Sequence, residues 1–132
     1  MEVVSILYVE DEVLLQGEIE AALQEAGFTV ATATLGKQAL AMLDAPEANY
    51  RALVTDIHLG PGPITGWDVA RHARELHPEL PVVYVTGHGA DEWAAQGVPN
   101  SVLVTKPFAP AQVVTAVSQL INQATSAPPA PE

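Results

Sequence analysis

The sequence predicts a doubly wound α/β domain built on a five-stranded, mainly parallel sheet. Three observations predict it. Five short, β-branched apolar runs recur along the chain. Segments of helical period stand between them. The runs are apolar throughout rather than alternating, as in strands covered on both faces. Right-handed crossovers between parallel neighbours then place helices on both sides of the sheet.

Residues 3–9, Val-Val-Ser-Ile-Leu-Tyr-Val, form the first strand. Residues 12–26 space Leu15, Ile19, Ala22, Leu23 and Ala26 at helical intervals, and Gly27 stops that helix. Residues 28–33 are a second, shorter strand. Residues 35–43 put Leu35, Ala39, Leu40 and Leu43 on one helical face, and Pro46 ends the segment. Residues 52–55 are a third strand that ends at Asp56. A turn-rich stretch, 58–65, precedes a third helix over 66–76, with Trp67, Ala70 and Leu76 directed inward. His72 and His77 belong to the surface of that helix. Residues 82–86 are a fourth strand, 90–96 a short helix and 102–104 a fifth strand. Pro110 suits the first turn of a last helix that runs to about residue 123. Residues 1–123 are thus one domain, and 124–132, rich in Pro and Ala, a disordered tail.

Composition bounds the function. The 132 residues suit one domain with a real core, 48% apolar and 16% charged. With 16 acids, 5 bases and a net charge of -11, the chain lacks the clustered cations that nucleic acid or an anionic membrane requires. The absence of Cys excludes disulfides, thiolate chemistry and cysteine zinc sites. No targeting or membrane-spanning segment is evident, which gives a soluble, cytoplasmic protein as the expectation.

Doubly wound sheets bind ligands beyond the C-terminal ends of their strands. That rule selects Glu10 and Asp11 after the first strand, Asp56 after the third, Thr86 at the fourth and Lys106 at the fifth. Three carboxylates in one pocket repel unless a cation is present. Oxygen donors in this number suit Mg²⁺. A cation and a fixed ammonium together neutralise a phosphoryl group in transfer, for which a carboxylate can be the nucleophile. Each residue also has a plainer reading of its own. The run Glu10-Asp11-Glu12 suits a helix N-terminus, Asp56 a turn, and Lys106 a solvated surface.

The strings Leu7-Tyr8-Val9-Glu10-Asp11-Glu12, Val54-Thr55-Asp56, Val83-Tyr84-Val85-Thr86-Gly87 and Lys106-Pro107-Phe108 resemble, in order and spacing, a response-regulator receiver domain of two-component signalling. The resemblance covers residues 4–123. It implies the flavodoxin-like strand order 2-1-3-4-5. It implies that Asp56 is the phosphoacceptor, with Mg²⁺ held by Asp11, by Glu10 directly or through water, by Asp56 and by the backbone carbonyl of His58. Thr86 would be the switch hydroxyl, Lys106 the bridging lysine, and Lys106-Pro107 a cis peptide. A histidine kinase or a histidine phosphotransfer protein would supply the phosphoryl group. The chain would then signal by protein contact to a downstream target, or act as a phosphate shuttle or sink. It would catalyse only its own phosphorylation and dephosphorylation.

Several positions depart from the family pattern. Glu10 stands where Asp is commoner, and the loop after Asp56 is longer by about two residues. Leu103 occupies the switch position, three before the lysine, where Tyr or Phe is usual, so no ring can rotate there. Tyr84 and Trp93 are nearby aromatics, with core packing the plainer role for Tyr84. His58 and His88 each follow a site residue by two and could tune phosphoryl lifetime, since His titrates near neutrality. The last helix is free of charged side chains from 109 to 131, which suits a partner surface rather than a dimer built on charges. Acids line the first helix, and Leu14 projects near the site toward a kinase.

Three other classes compete. A receiver-like module that is never phosphorylated would not need Asp56, Thr86 and Lys106 together. A metal-dependent phosphatase resembling the haloacid dehalogenase group would carry an acid two residues after its nucleophile, where this chain has His58. A flavin carrier would find its phosphate repelled by the strand-end acids.

Overall fold

The computed structural model describes residues 4–87, 90–106 and 108–125. The chain alternates as β1 (Ser5–Val9), α1 (Val13–Glu25), β2 (Thr29–Ala33), α2 (Gly36–Asp44), β3 (Tyr50–Asp56), α3 (Gly66–Leu76), β4 (Val82–Thr86), a 3₁₀ turn (Ala90–Glu92), α4 (Trp93–Gln96), β5 (Val102–Thr105) and α5 (Pro110–Thr125). The five strands are parallel, in the order β2-β1-β3-β4-β5.

The strand sequences explain their places. β1, β3 and β4 are the apolar runs, and they occupy the centre, where both faces are covered. β2 and β5 form the edges and are only partly buried. Alternation along each strand splits the core into two layers. Leu7, Val9, Leu53, Val82 and Tyr84 meet Ala39 and Leu43 of α2 and Trp67, Ala70 and Ala73 of α3. Ile6, Tyr8, Val54, Val83 and Val85 meet Ile19 and Leu23 of α1 and Val113 and Val117 of α5.

The structure corrects the expected element bounds in several places. β3 begins at Tyr50 rather than 52, and β5 extends to Thr105. The segment over 90–96 is a 3₁₀ turn followed by a single α-turn rather than one helix. Leu76 does not point inward and is 44% exposed. It lies nine residues after Trp67, which at ~100° per residue puts it on the opposite face. Leu35 is equally exposed, because it precedes α2 as its N-cap in extended conformation. His77 lies just past the end of α3, and His72 is half-buried, its Nε2 2.6 Å from Asp44 Oδ1. The expected tail lies outside the described residues from 126 onward, and α5 continues to Thr125.

Among the described residues no helix is long and apolar enough to cross a membrane.

Candidate functional site

The C-terminal ends of the central strands converge on one pocket. The register pairs Val9 with Thr55 across β1 and β3, so the next residues, Glu10 and Asp56, stand side by side. Carboxylate oxygens of Glu10, Asp11 and Asp56 lie within 4.8 Å of one another. Glu10 and Asp56 are buried, and Asp11 is exposed at the mouth. The Glu10 side chain is buried in the pocket, where its Oε2 also accepts the N–H of Glu12 at the start of α1 at 3.4 Å.

Asp56 is fixed by its own strand end. Its Oδ1 accepts the Ile57 N–H at 2.6 Å. Its Oδ2 lies 3.7 Å from Lys106 Nζ. The following loop closes when Gly66 N–H donates to the Ile57 carbonyl at 2.7 Å. A Cβ at Gly66 would stand 2.0 Å from the Asp56 carbonyl oxygen, so only glycine permits that approach. Thr65 then starts α3 with a reciprocal capping box to Asp68.

Lys106 follows β5 and is brought to the site by its backbone N–H, which donates to the Thr86 carbonyl at 2.8 Å. Its ammonium also lies 3.5 Å from Glu12 Oε2. Burial works against the charge of Lys106, but Asp56, Glu10 and Glu12 outweigh it and hold its pKa above the ordinary lysine value. Thr86 is the last residue of β4 and is buried.

Glu10 is the most perturbed acid. Burial first, then the hydrogen bond to and charge of Asp56, push its pKa up to about 8. Lys106 and the Tyr8 phenol pull the other way. The phenol donates to Glu10 Oε1 at 3.1 Å. Burial and then Glu10 raise the phenol's own pKa, so it remains a donor.

The sequence-predicted residues Glu10, Asp11, Asp56, Thr86 and Lys106 thus meet at one sheet edge. His58 is exposed two residues past Asp56. His88 and Pro107, with the expected lifetime role and cis peptide, lie outside the described residues. Leu103 is half-buried on β5, paired in register with Tyr84 and packed toward the core. Tyr84 is a packing residue. Its ring lies 4.7 Å from that of Trp67, and its hydroxyl accepts the Val98 N–H at 3.1 Å. Trp93 donates to Ser101 Oγ at 2.9 Å.

Sequence reasoning missed three residues. Tyr8 holds Glu10, Glu12 pairs with Lys106, and Gln16 ties the carbonyls of Glu10 and Ala33 at 3.2 and 3.3 Å. The signal for Tyr8 was available, because residues 8 and 10 share a strand face.

The donor set fits a hard divalent cation. Three carboxylates supply oxygen ligands within a span that one ion can bridge, and a buried carboxylate at this density favours a positive partner.

Comparison with known proteins agrees with this geometry. Residues 6–118 match the family model of the response regulator receiver domain. The chain is 33% identical over 112 residues to the C4-dicarboxylate transport transcriptional regulatory protein DctD of Rhizobium meliloti. That match covers 83% of this chain and spans 24% of DctD. A response regulator receiver protein from Sinorhizobium medicae superposes with a TM-score of 0.87 at 47% identity, over 92% of this chain and 96% of that one. The receiver domain of sensor histidine kinase PA1611 from Pseudomonas aeruginosa superposes at 0.77 with 25% identity, over 92% and 99% of the two chains. Its structure has a magnesium ion coordinated in the active-site cleft.

Proposed function

Because the chain belongs to the response regulator receiver domain family, we propose that Asp56 accepts a phosphoryl group from a phosphorylated histidine and that the resulting acyl phosphate is the signal. One observation carries this reading. Asp56 shares a 4.8 Å cluster with two further carboxylates and lies 3.7 Å from the Lys106 ammonium.

The residues divide the work. The Ile57 N–H fixes one Asp56 oxygen, which aims the carboxylate without neutralising it. An Asp56 oxygen attacks phosphorus, an O–P bond forms, and the N–P bond to the donor imidazole breaks. Lys106, held beside Thr86 by the backbone, balances charge on the phosphoryl oxygens. The Thr86 hydroxyl donates to one of those oxygens after transfer. Glu10, Asp11 and Asp56 would hold Mg²⁺, with the His58 carbonyl as a further candidate ligand, and the ion would supply charge neutralisation for the transfer. The magnesium in the cleft of the PA1611 receiver supports this assignment.

The donor is a histidine kinase or histidine phosphotransfer protein. Val13 and Leu14, 70% and 82% exposed at the start of α1, offer it an apolar contact beside the pocket. Output passes by protein contact to a downstream target, or the chain serves as a phosphate shuttle or sink. Its chemistry is confined to its own phosphorylation and dephosphorylation, and its place is the cytoplasm.

Intact-mass measurement after incubation with acetyl phosphate tests the reading. A single phosphoryl adduct is expected with Mg²⁺, and none in chelator or in Asp56→Asn. An adduct that persists in Asp56→Asn contradicts it.

A further inference from the structure

Glu10 departs from the family's commoner Asp, and the structure gives it a partner that a shorter side chain would not reach. Residues 8 and 10 lie on the same face of β1 and its extension. The Tyr8 ring is fully buried among Ile6, Val54 and Val85 in the layer under α1 and α5. Its hydroxyl has no path to solvent and donates to Glu10 Oε1 at 3.1 Å. The other oxygen, Oε2, accepts a long contact from the Glu12 N–H, at 3.4 Å, and the carboxyl group also hydrogen-bonds Asp56 within the cluster. The phenol thus holds, from below, one oxygen of a buried carboxylate that stands in the acidic cluster. An aspartate here would end one C–C bond, ~1.5 Å, short of the phenol.

We infer that Tyr8 is a positioning residue, whose buried phenol fixes the Glu10 carboxylate and thereby sets the pocket's affinity for a divalent cation. It touches neither the cation nor the phosphoryl group. The inference rests on the reading of Glu10, Asp11 and Asp56 as a cation pocket. Physically, the hydroxyl removes the rotational freedom of a long acidic side chain before the cation arrives. The dependence is reciprocal, because withdrawing Glu10 leaves the Tyr8 hydroxyl buried without its acceptor.

The test is a double-mutant cycle read by calorimetric titration of the full chain with MgCl₂. Tyr8→Phe keeps the ring and its volume and removes only the hydroxyl. It is expected to weaken Mg²⁺ binding roughly tenfold, about 1.4 kcal/mol. At saturating Mg²⁺ its phosphorylation rate with acetyl phosphate stays within about twofold of wild type, since the reacting groups are intact. In a Glu10→Asp background the same substitution changes Mg²⁺ affinity by less than about twofold, because the contact is already lost. Tyr8→Leu is a second hydroxyl-free variant with the same expected loss, and melting in chelator verifies that each variant is folded. Equal Mg²⁺ binding by wild type and Tyr8→Phe overturns the inference. An equal loss in both backgrounds also overturns it, since the ring would then act through packing alone. Wild-type protein that binds no Mg²⁺ removes the cation reading itself, a result distinct from either.

Discussion

Glu10 makes the metal-free fold sensitive to pH. Its pKa is raised from 4.5 to about 8, so between those values the folded chain binds a proton that the unfolded chain has released. Stability therefore falls as pH rises through this window and levels off above it. Urea unfolding in chelator across pH is expected to show that decline, and Glu10→Gln is expected to flatten it. Saturating Mg²⁺ should remove the decline as well, because the cation holds Glu10 ionised, and its binding should release protons. Gly66 gives a second test at this scale. Gly66→Ala would force a Cβ into the Asp56 carbonyl and is expected to cost roughly 2–3 kcal/mol by urea unfolding. Glu10, Asp11, Asp56, Thr86 and Lys106 were legible because strand ends in a parallel sheet mark the functional edge. Tyr8, Glu12 and Gln16 were not singled out. Tyr8 shares a strand face with Glu10 in the sequence alone, but its reach to that carboxylate, and the roles of Glu12 and Gln16 at the helix start, emerge only with side-chain positions.

Elements form where local chemistry and burial agree. α3 has both, with a capping box at Thr65 and Asp68 and an inner face of Trp67, Ala70 and Ala73. Thr65→Ala is expected to lower stability by about 1 kcal/mol in urea unfolding, with the site intact. α1 and α2 lack side-chain caps, and their positions come from packing against β1 and β2. This difference explains what the sequence could show. The bounds of α3 and β4 were read correctly, since Gly66 and Pro81 punctuate them sharply. The start of β3 was read two residues late, because Tyr50 and Arg51 join the strand through pairing with β1, and the bulge beside Ser5 leaves no local trace. Leu76 shows the same limit, since an apolar residue at a helix end says little about which way it faces.

At the scale of the molecule, a net charge of -11 and a carboxylate cluster at one edge oppose compaction. Salt of any kind relieves part of that repulsion, whereas a site-bound cation relieves it locally. MgCl₂ is accordingly expected to raise the melting temperature more than NaCl at equal ionic strength, and Asp11→Asn is expected to abolish the excess. An identical shift from both salts would indicate screening alone. The alternation of strands and helices was legible across the chain, but the order β2-β1-β3-β4-β5 came only with the family resemblance, since apolar runs do not encode which neighbours pair. That order brings the ends of β1, β3, β4 and β5 together around Asp56. The most direct measurement is therefore borohydride reduction of the phosphorylated protein, followed by peptide mass mapping. Reduction turns an aspartyl phosphate into homoserine and marks the acceptor. Homoserine is expected at Asp56 alone, formed only after incubation with phosphodonor and Mg²⁺. Homoserine at another acid, or a phosphoryl adduct that leaves Asp56 unmodified, would contradict it.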